Sequence, residues 1–120
     1  MNALIIEDSR TERRLIARVL TGAGFNVDDT GSAEEALDLL KNADVPNLIV
    51  IDWVLPGMSG LEFVRTIKND PKYAETRILV VSIRQERQDV REMLAAGADD
   101  YIFKPVDARA LENRLPVLGF

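Results

Sequence analysis

The sequence concentrates its chemistry at a few polar positions: the acidic pair Glu7-Asp8, then Asp52, Ser82, and Lys104 directly before Pro105. Three carboxylates drawn together repel one another and raise their own pKa values unless a cation shares the site. A divalent ion resolves that conflict. Hard oxygen ligands in small number, with no His or Cys among them, suit Mg²⁺ or Mn²⁺, with waters and a phosphate oxygen completing the octahedron. A carboxylate is also a nucleophile towards phosphorus, giving an acyl phosphate. Phosphoryl transfer asks mainly for positioning and charge neutralisation. Lys104 supplies a compact cation for that task, and the Ser82 hydroxyl supplies a donor for a phosphoryl oxygen. The chain contains no cysteine and no histidine, which removes disulfides, thiolate nucleophiles, Cys/His zinc sites and Ser-His-Asp triads.

Singly, each of these residues has an ordinary structural use, such as an acidic pair favouring a helix dipole or a serine closing a strand. Chemistry requires that they converge, and convergence depends on the elements between them. Short β-rich runs occur at Ala3 to Ile6, Phe25 to Val27, Leu48 to Ile51, Ile78 to Ser82 and Tyr101 to Phe103. Three are almost continuously apolar, as suits strands covered on both faces. Helical spacing fills the gaps: Leu15, Ile16, Val19 and Leu20; Ala33, Ala36, Leu37 and Leu40; Leu61, Val64 and Ile67; Val90, Met93 and Leu94; Ala108, Leu111 and Leu115. Ser9, Ser32, Ser59 and Asp107 stand ready as N-caps, and Gly22 or Gly24 and Gly97 as C-terminal stops.

Strand and helix thus alternate five times, which implies one α/β domain over residues 1–120. Its sheet is expected to be parallel and doubly wound, with right-handed crossovers and helices on both faces. The length of 120 residues and 47% hydrophobic content suit one packed core. In open sheets of this kind ligands gather beyond the carboxyl ends of the strands. Glu7-Asp8 follow the first strand, Asp52 the third and Lys104-Pro105 the fifth, while Ser82 closes the fourth. All should face one pocket.

The formal net charge of -5 argues against direct nucleic-acid binding. The longest apolar runs are far shorter than the roughly 20 residues that cross a bilayer. The start lacks a basic region and a long apolar region, so a soluble, cytoplasmic protein is expected.

In order and placement these residues resemble the receiver domains of two-component signalling, and the resemblance runs from about Ala3 to Leu115. The family's acidic pair matches Glu7-Asp8, its phosphoacceptor Asp52, and its loop pattern Pro56, Met58 and Gly60. Its switch hydroxyl matches Ser82, its switch aromatic Tyr101, and its lysine with a following cis proline Lys104-Pro105. The likeness implies a flavodoxin-like sheet of order 2-1-3-4-5 with five helices. It also implies that Asp8 and Asp52 bind magnesium directly, that Glu7 acts mostly through water, and that the Val54 carbonyl is another ligand. The phosphoryl group would come from a sensor histidine kinase or a histidine phosphotransfer protein, in a two-component system or phosphorelay. Phosphorylation would draw the Ser82 hydroxyl towards the phosphate and turn Tyr101 inward. The face formed by the fourth helix, fifth strand and fifth helix, here Tyr101 and about Gln88 to Ala96, would change in response. Such a protein catalyses its own phosphorylation and dephosphorylation and is not a turnover enzyme.

Three positions depart from the family pattern. Ile83 is a branched residue where receivers usually carry Ala or Gly. Val54 and Arg84 lie two residues past Asp52 and Ser82, with no amide or carboxylate to orient a hydrolytic water. These access-modulating residues imply slow reaction with small phosphodonors and a long-lived phosphate, unless Arg84 itself reaches the phosphate. Two other readings remain: a pseudo-receiver acting as a constitutive binding module, and an aspartyl-nucleophile phosphatase of the haloacid dehalogenase type. The second wants an Asp where Val54 stands. The cluster Arg10, Arg13, Arg14 and Arg18 reads as the solvated side of the first helix and a weak docking candidate. Pro116 is expected to end the last helix at about residue 115. The apolar tail 116–120 then packs back on the body, supports a homodimer, or leads to an output domain.

Overall fold

The computed structural model describes residues 1–120. Its elements run β1 (Asn2–Ile6), α1 (Arg10–Gly22), β2 (Asn26–Thr30), α2 (Ala33–Leu40), β3 (Leu48–Ile51), α3 (Gly60–Lys68), a 3₁₀ turn at Pro71–Tyr73, β4 (Arg77–Ser82), α4 (Arg87–Ala96), β5 (Asp100–Phe103) and α5 (Ala108–Val117). All strand pairs are parallel and the order is β2-β1-β3-β4-β5. The flavodoxin-like topology is therefore the one that the resemblance implied.

Alternation along each strand feeds two separate cores. On one face Leu4, Ile6, Ile49, Ile51, Ile78 and Val80 pack with Ala36, Phe63 and Met93 from α2, α3 and α4. On the other, Ala3, Ile5, Leu48, Val50, Leu79 and Val81 meet Ile16 and Leu20 of α1 and Leu111 and Leu115 of α5. Each fully buried Leu, Ile or Phe contributes roughly 1.5–3 kcal/mol. That supply lets the strand ends carry crowded carboxylates.

The helix starts follow the sequence. Ser9, Ser32, Ser59 and Asp107 each accept a backbone N–H from three residues on: Glu12, Glu35, Glu62 and Ala110. Gly97, at φ 122°, stops α4 in a conformation that glycine tolerates.

Four details differ from expectation. β2 begins at Asn26 and runs on through Asp28 and Asp29, because it is an edge strand whose outer positions remain in water, whereas Phe25 belongs to the core. The 3₁₀ turn, started by Asp70 accepting from Lys72 N at 3.0 Å, was not anticipated. Leu94 points outward at 44% exposure, so Met93 anchors α4. α5 continues past Pro116 to Val117. Proline in the last turn forfeits one bond, and Leu118 N still reaches Arg114 O at 3.1 Å and Gly119 N reaches Pro116 O at 3.0 Å. The tail packs back, with Leu118 buried and Phe120 edge-on to Phe25 at 5.1 Å between ring centroids.

Candidate functional site

Register brings the polar strand ends together. Ile6 lies beside Ile51 and Ser82 beside Phe103, so the residues that follow share one rim. Asp52 N donates to Ile6 O at 3.1 Å, and Lys104 N donates to Ser82 O at 2.9 Å. The Lys104–Pro105 peptide bond is cis.

At that rim the Lys104 ammonium spends its three protons on three carboxylates: Glu7 Oε1 at 2.7 Å, Asp52 Oδ2 at 2.7 Å and Glu12 Oε2 at 2.6 Å. Glu7 and Asp52 are buried. Desolvation disfavours the Lys104 cation, but bonds to Asp52, Glu12 and Glu7 outweigh it and hold its pKa above the ordinary lysine value. Glu7 shows the opposite balance: burial pushes its carboxyl up to about 7, against the pull of Lys104 and of the Ser9 N–H. One oxygen from each of Glu7, Asp8 and Asp52 lies within 4.8 Å of the others. An all-oxygen cluster holding more negative charge than one ammonium can settle fits a hard divalent cation, Mg²⁺ or Mn²⁺.

The remaining predicted residues line the same rim. Val54 N donates to Asp52 Oδ1 at 3.1 Å, fixing the carboxylate plane, and the Val54 side chain is half exposed. Ser82 is wholly buried, and its Oγ accepts from Arg84 N at 3.2 Å. Tyr101 is already turned inward without a phosphoryl group, where the resemblance implied that phosphorylation would turn it; its hydroxyl donates to Arg84 O at 2.7 Å and its ring lies edge-on to Trp53 at 6.4 Å between centroids. Burial raises its phenol pKa, with the Ser82 hydroxyl pulling the other way. Ile83 projects outward at 65% exposure. Arg84 reaches sideways: its guanidinium lies 4.3 Å from the Trp53 ring centroid and donates to Asp89 at 2.8 Å, and no ion pair joins it to Asp52.

Sequence reasoning missed Glu12. Its place in Ser9-Arg10-Thr11-Glu12 reads as a local helix-start pattern in which the glutamate turns back to the cap. Here Glu7 Oε2 accepts the Ser9 N–H at 3.1 Å instead, and Glu12 is free to reach Lys104. Arg13 departs from the solvated helix face expected for the arginine cluster: it donates to Glu7 O at 2.7 Å and pairs with Asp29 at 3.2 Å. Arg10, Arg14 and Arg18 are exposed as expected. Glu34 was also missed: it accepts from Met58 N at 2.9 Å across the rim, and that bond holds its carboxyl below the usual range.

The response regulator receiver domain model matches residues 3–116, and the chain belongs to that family of two-component signalling modules. It is 40% identical over 124 residues to a chemotaxis protein CheY homolog of Campylobacter jejuni, covering 99% of this chain and 93% of that protein. The phosphate regulon transcriptional regulatory protein PhoB of Klebsiella pneumoniae is 34% identical over 112 residues, which is 93% of this chain and 48% of that protein. Among solved structures, the chemotaxis response regulator CheY4 of Vibrio cholerae superposes with a TM-score of 0.90 at 27% identity, covering 98% of this chain and 97% of that one.

Proposed function

We propose that this chain is a phosphoacceptor switch in which Asp52 takes a phosphoryl group from a phosphohistidine on a sensor histidine kinase or a histidine phosphotransfer protein. An Asp52 oxygen forms the new O–P bond as the donor N–P bond breaks and the imidazole leaves with the electron pair. The observation that carries this reading is the meeting of Lys104 with Glu7 and Asp52, 97 and 52 residues away in sequence, at 2.7 Å each.

Asp8 and Asp52 would hold Mg²⁺ directly, with Glu7 acting through water and the Val54 carbonyl as a further ligand. The ion, when bound, neutralises charge developing on the transferred group. Asp52 is oriented for attack by the Val54 amide. Lys104 brings its positive charge to the phosphoryl oxygens, and Ser82 keeps its O–H as a donor while its oxygen accepts from Arg84 N. Tyr101, joined to the Arg84 carbonyl, carries the change to α4, β5 and the exposed Phe103, a face for an output domain or partner protein.

Trp53, buried beside Asp52, is the natural reporter. Its emission is expected to respond to Mg²⁺ and then to beryllofluoride, and Asp52→Asn to abolish the second response. A phosphohistidine donor that labels Asp52→Asn as well as wild type defeats the proposal. Branched side chains follow Ser82 directly, as Ile83, and Asp52 two residues on, as Val54; labelling by acetyl phosphate is expected to be slow, and Ile83→Ala to speed it severalfold.

A further inference from the structure

Lys104 has three protons to give, and Glu7, Asp52 and Glu12 take all of them. A phosphoryl oxygen arriving at Asp52 must therefore displace one of these acceptors. Glu7 and Asp52 are buried, with side chains at 2% and 6% exposure, whereas the Glu12 side chain is 37% exposed and stands outside the trio that clusters for a metal. Water compensates Glu12 most readily on release, so it is the partner that gives way. Its charge also acts at a distance, repelling an incoming dianion and attracting a divalent cation.

From this arrangement, and resting on the phosphoacceptor reading above, we infer that Glu12 is a positioning residue that restrains the Lys104 ammonium, weakening phosphoryl capture while strengthening the hold on a divalent cation. Removing its charge leaves Lys104 still bound to Glu7 and Asp52 and so still aimed at the reacting carboxylate. The effect on the two ligands is opposite in sign. Loss of a helix-start residue would not produce that pattern.

The test titrates Trp53 emission with Mg²⁺ alone, then with beryllofluoride at saturating Mg²⁺, in wild type, Glu12→Gln and Glu62→Gln. Fluorine NMR of bound beryllofluoride gives a second readout. Glu62 holds the same third position of α3, its N–H given to Ser59 as that of Glu12 is given to Ser9, but it does not contact Lys104. Glu12→Gln is expected to bind beryllofluoride about two- to fivefold more tightly and Mg²⁺ more weakly by a similar factor, the scale of a partly exposed ion pair. Glu62→Gln is expected to match wild type. Unchanged or weaker beryllofluoride binding in Glu12→Gln overturns the inference, as does the same shift in Glu62→Gln. A wild-type protein that ignores beryllofluoride sinks the phosphoacceptor reading itself, and this inference with it.

Discussion

The Tyr101 hydroxyl donates to the backbone carbonyl of Arg84 at 2.7 Å, while the guanidinium of that arginine covers Trp53. One residue of the β4–α4 loop therefore touches both the aromatic of β5 and the neighbour of Asp52. Removing the donor while keeping the ring tests that link. Tyr101→Phe is expected to cost about 1 kcal/mol, the usual net worth of such a bond when water can reach the freed carbonyl. Urea denaturation measures the loss, and the Trp53 emission maximum is expected to shift as the loop loosens.

Lys104 is the counter-ion of three carboxylates, so its removal leaves them facing one another. Lys104→Met is expected to destabilise the protein in chelator by about 3 kcal/mol, the scale of breaking a buried pair. Added Mg²⁺ should restore part of it, because the ion replaces the missing charge. Equal denaturation midpoints for variant and wild type in chelator would contradict this.

The pH dependence follows from Glu7, whose carboxyl is raised by burial from 4.5 to about 7. A raised acid stabilises the fold fully below its unfolded value, and that contribution is lost as pH rises through about 7. In chelator the melting temperature is expected to fall as pH rises through that window, with a smaller slope in Glu7→Gln. Mg²⁺ favours the ionised form, so its affinity should increase from acid to neutral pH with release of protons, measurable by calorimetry in two buffers.

Gly60 begins α3 hard against the phosphoacceptor's backbone. A Cβ there would meet the Asp52 carbonyl and stand 2.8 Å from Trp53 Cα, and backbone cannot swing aside as a side-chain tip can. Gly60→Ala is expected to cost about 2 kcal/mol by overpacking and to weaken beryllofluoride binding by moving Asp52.

What the sequence revealed was the framework. Period, caps and punctuation located the five strands and five helices, and the rule that ligands gather at carboxyl strand ends placed Glu7, Asp8, Asp52, Ser82 and Lys104 on one rim. Glu12 escaped because its pattern has a sufficient local explanation, and nothing in a linear reading connects it with a lysine 92 residues away. The inward Tyr101 escaped because a rotamer depends on which acceptors surround it. Arg84 could have been given either direction, and only the positions of Trp53 and Asp89 decide between them. Pro116 was read by its usual effect, which is strong inside a helix and slight in its final turn.

The outer margin of the sheet has its own safeguard. Asp28 and Asp29 are exposed side by side on β2, whose far edge has no strand beside it. A foreign strand aligning there would have to bring its own backbone up to two carboxylates, only one of which has Arg13 to offset it. Such inhospitable borders discourage the unwanted growth of sheets from one molecule into the next.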